Sequence, residues 1–148
     1  MKRLLGPGLM VAAILLFWPA TGLAQGATSR SPRQAFEQEC GACHWAYAPE
    51  LLPARSWKAI TSDLSHHFGQ NASLDAANTR KIRGYLVSHA ADAPGSDHSF
   101  MRGLRPSDTP LRITDTPLWR AIHEGLSPRA FTQLGVKTKA NCMGCHRG

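Results

Sequence analysis

Cys40-Gly41-Ala42-Cys43-His44 and Cys142-Met143-Gly144-Cys145-His146 are two five-residue strings that together hold all four cysteines of this 148-residue chain. Each sets two thiols three residues apart with a histidine directly behind the second, the spacing that attaches a c-type haem. On a helix, positions i, i+3 and i+4 share a face. Cys40 and Cys43 then reach the vinyl edge of one porphyrin while His44 turns its imidazole toward the iron; Cys142, Cys145 and His146 repeat the arrangement. Paired cysteines also build zinc sites, thioredoxin-like redox centres and structural disulfides. None of these requires a histidine behind both pairs. A redox motif wants βαβ surroundings, and a zinc site drawing on both pairs would have to close across almost the whole chain. The strings therefore predict two covalent haem c groups with their iron, with His44 and His146 as proximal ligands.

The first residues agree with that chemistry. Lys2 and Arg3, a mostly apolar run from Leu4 to Pro19, and the small-residue site Gly22-Leu23-Ala24 read as a cleaved signal peptide over residues 1–24. A membrane anchor is the competing reading, but Gly6, Pro7, Gly8 and Pro19 interrupt the run, which falls short of about 20 clean residues. Bacterial c-type attachment takes place outside the cytoplasmic membrane, so the expected compartment is the periplasm and the mature chain is expected to be soluble. Residues 25–148 suit one domain, in which two buried porphyrins supply much of the core that so short a chain has trouble building alone. The net charge of +7 includes Lys2 and Arg3. Haem propionates offset much of the remainder, and export argues against a nucleic-acid partner. Arginines such as Arg55, Arg105 and Arg112 suit propionates, an acidic docking partner or a solvated surface.

The pattern predicts a mainly α fold of about five short helices wrapped around the two haems. Ser31-Pro32 opens the first, which runs into the first motif. A second spans about Ala54 to Phe68 and stops at Gly69. A third runs from Ser73 or Asp75 to Ala90. Residues 91–116, with three prolines and little periodicity, read as a long loop between two haem-binding halves. Thr116-Pro117 opens a fourth helix through His123, and a last one around Lys139 carries the second motif.

Each motif supplies one axial ligand, so the chemistry turns on what lies across each iron. Trp57, Ile60, Leu64 and His67 recur at helical spacing, as do Trp119, Ile122, His123 and Leu126. His89 follows Ile82, Tyr85 and Leu86 on the third helix in the same way. Periodicity thus nominates His67, His123 and His89 for two positions, ahead of His66 and His98. A lone histidine on an apolar face is more often a core residue than a ligand, but two uncommitted irons change that balance. Met101 is the one realistic methionine alternative, since Met143 lies inside a motif and cannot reach back to its own iron.

The stretches Cys40–Tyr47, Leu51–Trp57, His67-Phe68-Gly69 and Asn71–Asp75, with Arg112-Ile113-Thr114, Thr116-Pro117, Trp119, His123 and Asn141–His146, resemble the small bacterial dihaem cytochrome c family. The resemblance covers essentially residues 25–148. It implies two six-coordinate, bis-histidine haems, favours His67 and His123 as distal ligands with His89 in reserve, and implies electron transfer rather than catalysis. It also implies a membrane b-type cytochrome as donor and a small soluble haem protein as acceptor. The alternative of another class is a haem enzyme or gas-binding sensor with one open or labile iron, which would need acid–base groups beside that iron. No such constellation is visible in the sequence.

Overall fold

The computed structural model describes residues 30–133, 136 and 138–146; the signal-peptide reading of residues 1–24 falls outside them. Five α-helices follow in order: α1 (Pro32–Gly41), α2 (Ala54–Ile60), α3 (Ala76–Ser88), α4 (Pro117–Ile122) and α5 (Pro128–Gln133), joined by loops and short 3-10 turns. Among the described residues there is no strand, only an isolated bridge between His67 and Gln70.

Local chemistry explains where the helices start. Ser31 caps α1 by accepting from the Gln34 N–H at 3.2 Å while the Gln34 side chain accepts from the Ser31 N–H at 3.0 Å, a closed capping box with Pro32 at the first helical position. Asp75 caps α3, accepting from the N–H groups of Ala77 and Asn78. Those bonds hold its carboxyl below the ordinary aspartate range. Thr116, fully buried, caps α4 by accepting from the Trp119 N–H and donating to the Ile113 carbonyl.

Two boundaries depart from expectation. The second helix does not run to Phe68: α2 ends at Ile60, and a separate 3-10 turn covers Leu64–His66. Thr61 turns its hydroxyl back to the Trp57 carbonyl at 2.7 Å, and Arg83 of α3 donates to both the Thr61 hydroxyl and its carbonyl. Side-chain competition and a cation on the last carbonyl close the helix. Around the second motif a 3-10 turn over Cys142–Gly144 replaces the expected helix, while α5 was not anticipated. Its start carries the same Ser-Pro signal as α1, since the Ser127 hydroxyl accepts from the Ala130 N–H, but six residues are too few to show a period.

The core lies between α1, α2 and α3. Ala35, Phe36, Leu52, Trp57, Ile82, Leu86 and Ala90 form one buried cluster, with Cys40, Tyr47 and Ile113 packed against its rim. The Trp57 indole N–H donates to the Pro49 carbonyl at 2.7 Å, so the largest core side chain leaves no orphan donor. Residues 91–116 are tied back to this core. The Ala91 N–H donates to the Leu52 carbonyl, and Arg55 of α2 donates to the carbonyls of Arg105 and Asp108. Beyond residue 116 the described chain buries little: Val136 is the only buried apolar side chain there.

Candidate haem sites

The folded chain brings the histidines together in two pairs. His44 follows the end of α1 and faces His67, which follows the Leu64–His66 turn; their ring centroids lie 6.1 Å apart. His123, at the C-terminal end of α4, faces His146 at 6.2 Å. An imidazole nitrogen sits about 2.0 Å from a bound transition metal and about 1.1 Å from its own ring centroid. Two imidazoles on opposite sides of one iron therefore have centroids about 6.2 Å apart. Both pairs match that separation, and each joins one motif histidine to one histidine nominated from periodicity. The pairing is local, first with first and second with second, a choice that spacing alone leaves open.

Hydrogen bonding prepares these rings. His44 Nδ1 lies 2.7 Å from the Trp45 carbonyl and His123 Nδ1 lies 2.8 Å from the Trp119 carbonyl. A carbonyl only accepts, so Nδ1 carries the hydrogen and Nε2 keeps its lone pair for a metal. The Trp119 ring also stacks on His123 at 4.4 Å and 15°. At the first site Tyr47 stacks on His44 at 5.1 Å and 25°. Burial, then the charges of His44 and Arg112, push the His67 imidazole below its ordinary range, which favours the neutral form that a metal requires. Phe68 beside it adopts φ 52° and Gly69 φ 91°; this left-handed turn leads the chain away from His67 and suits a glycine at the second position.

The remaining candidates lie elsewhere. His89 bonds through Nδ1 to the Tyr85 carbonyl at 2.9 Å and packs on the Tyr85 ring, in a groove lined by Ser31, Arg33, Arg80 and Lys81. It faces neither motif histidine. His66 is exposed and bonded to the Asp63 carboxylate. His98 is a left-handed loop residue, and Met101 ends the 3-10 turn that follows it.

The surroundings fit haem. Trp45, Phe68, Ile122, Leu126 and Met143 are large apolar side chains that stand exposed beside the paired histidines or within a motif, Ile122 at 64%. Such side chains are the walls that a porphyrin covers. Cys40 and Cys43 precede His44, and Cys142 and Cys145 precede His146, where they can hold the haem by thioethers. Burial and the neighbouring Glu39 push the Cys40 thiol up to about 11. At Gly144, between the second pair of cysteines, an added Cβ would come 2.6 Å from Val136 Cγ2. The second motif needs glycine there because its backbone packs against the one buried apolar side chain nearby. Among the described residues no three His, Cys, Asp or Glu side chains converge on a common centre, so the two cysteine pairs do not build a shared zinc site. Tyr47 is the contributor whose role no sequence signal singled out; Trp119 keeps the helical face it shares with His123, and Arg112, read as a propionate or surface arginine, lies over the Phe68 ring.

Two attachment motifs, two facing histidine pairs and a mainly helical frame define a c-type cytochrome with two haems. A family model described as dihaem cytochrome c matches residues 36–148. Among solved structures, the diheme cytochrome c from Rhodobacter sphaeroides aligns at 45% identity with a TM-score of 0.71, covering 77% of this chain and 90% of that one. The diheme cytochrome type c from Shewanella baltica aligns at 35% identity and 0.63, covering 78% and 81%. Among curated proteins nothing matches. The chain belongs to the dihaem cytochrome c family, carries two covalent haem c groups with their iron, and is an electron-transfer haem protein.

Proposed function

We propose that the protein is a periplasmic one-electron carrier in which His44 and His67 ligate the first iron and His123 and His146 the second. The observation that carries this reading is the pair of histidine separations, 6.1 and 6.2 Å. The haem supplies the Fe(III)/Fe(II) couple, and bis-histidine ligation gives it a low potential relative to histidine–methionine sites. The protein's part is to hold two imidazoles in place through the change of charge. The Trp45 and Trp119 carbonyls fix two of the rings, and small movement on electron transfer keeps the exchange fast. Two ligands per iron also leave no position for a substrate.

Export to the periplasm is supported by the charged and apolar start of the chain. No helix of the described residues is long and apolar enough to cross a membrane. The proposed donor is a membrane b-type cytochrome and the proposed acceptor a small soluble haem protein, both carried over from the family resemblance. Low-temperature electron paramagnetic resonance of the oxidised protein, with carbon monoxide added to the reduced form, tests the ligation. Two low-spin signals and no adduct are expected. A high-spin signal or a ready carbon monoxide adduct would overturn the carrier reading and favour an enzyme or gas sensor.

A further inference from the structure

Tyr47 touches both halves of the molecule. Its ring stacks on His44 at 5.1 Å and receives the edge of Trp45 at 5.6 Å. Its hydroxyl donates to the Ala140 carbonyl at 2.6 Å, a bond that spans 93 residues of chain. Ala140 lies two residues before Cys142, the first attachment cysteine of the second motif. Among the described residues, this is the only hydrogen bond that joins the chain before residue 91 to the chain after residue 116. The main helix packing follows the same division: α1 and α2 each pack on α3, while α4 packs on the short turn Ile113–Asp115.

We propose that Tyr47 is the positioning residue that couples the two haem sites. Through its ring it holds the first proximal histidine, and through its hydroxyl it holds the loop that carries the second haem. The distance between the sites, and with it the rate of electron exchange between them, then depends on this side chain. In that exchange a single electron leaves one site and arrives at the other. Tyr47 gains and loses neither an electron nor a proton. The proposal rests on His44 being an iron ligand.

The test uses the full holoprotein with both haems counted by pyridine haemochrome. Tyr47→Phe keeps the ring and removes one oxygen; Tyr47→Leu removes the ring as well. Hydrogen exchange in the reduced, diamagnetic protein reads the opening of residues 138–146. Fast one-electron photoreduction reads the exchange between sites. For Tyr47→Phe the opening of that loop should rise about fivefold, the loss of one ordinary hydrogen bond. Inter-site exchange should slow, with both low-spin spectra retained. Tyr47→Leu should also shift the first site's spectrum and leave the second's unchanged. Loop opening and exchange both within twofold of the parent in Tyr47→Phe would overturn the proposal. A parent with an open first iron would instead overturn the ligand assignment, whatever the variants do. If Tyr47→Leu failed to load haem, the phenylalanine variant would still decide.

Discussion

The two histidine pairs have nearly the same separation but are built in different ways. His44 and His67 stand at the rim of a packed core, on loops that leave α1 and the Leu64–His66 turn. His123 caps the end of a six-residue helix and His146 follows a single 3-10 turn, in a half whose described residues bury little of their own. The ring planes differ as well, meeting at 21° in the first pair and 72° in the second. With a haem held between each pair, the first pair would rest on a protein core, and the second on short elements that the haem would help to organise.

The sharpest way to break this contrast is to remove one attachment at a time. In Cys142→Ala/Cys145→Ala the chain should carry one haem, and residues 117–146 should lose protection from protease by about tenfold or more while α1 to α3 stay protected. In Cys40→Ala/Cys43→Ala the α1–α3 core should survive, because Phe36, Trp57, Ile82 and Leu86 pack without help. Equal protease sensitivity of the two halves in both variants would show that neither half has a core of its own.

Exchanging a proposed distal ligand should have the next largest effect. His67→Met and His123→Met should each raise one midpoint potential by on the order of 0.1 V, within the range that axial ligands span, and leave the other nearly in place. Potentiometric titration followed at the Soret band resolves the two. A change confined to the other site's potential would mean that the pairing is crossed, and a change in both would mean that one histidine influences both sites. An unchanged spectrum in either would return attention to His89.

These assignments mark where sequence reasoning stops. The attachment strings were legible because covalent chemistry needs adjacent residues in fixed order. The starts of α1, α3 and α4 were legible because a cap acts within three residues. The end of α2 was not, because Arg83 reaches Thr61 from another helix. His67 was nominated for sharing a continuous helical face with Trp57, yet the helix stops before it. His67 reaches its place opposite His44 through a turn that periodicity does not encode. The local pairing and the bond from Tyr47 to Ala140 are tertiary facts with no short-range signature.

The ring planes give a smaller and more specific prediction. Near-parallel axial imidazoles give an ordinary rhombic low-spin signal, whereas near-perpendicular ones give a signal with a larger maximum g value. The oxidised protein should show one of each. Trp119 holds the second arrangement by stacking on His123 and accepting from its Nδ1. Trp119→Leu keeps the carbonyl and removes the stack, so the second signal should broaden or move toward the first, which stays in place. A shift confined to the first signal would mean that the planes are assigned to the wrong sites.

The smallest effect expected comes from Arg112, whose guanidinium lies 4.2 Å from the Phe68 ring centroid and whose charge reaches His67. A cation beside an iron site disfavours the more positive, ferric state, so it raises the potential. Arg112→Gln should therefore lower the first site's potential and spare the second. The side chain is exposed, so water and salt screen its charge and the shift should be on the order of 10 mV at low ionic strength. Raising the salt should bring parent and variant together, since screening weakens in the parent what the substitution removes. A difference that persisted at high salt would point to lost packing over Phe68 instead. In that case the first site would depend on cover drawn from outside its own core.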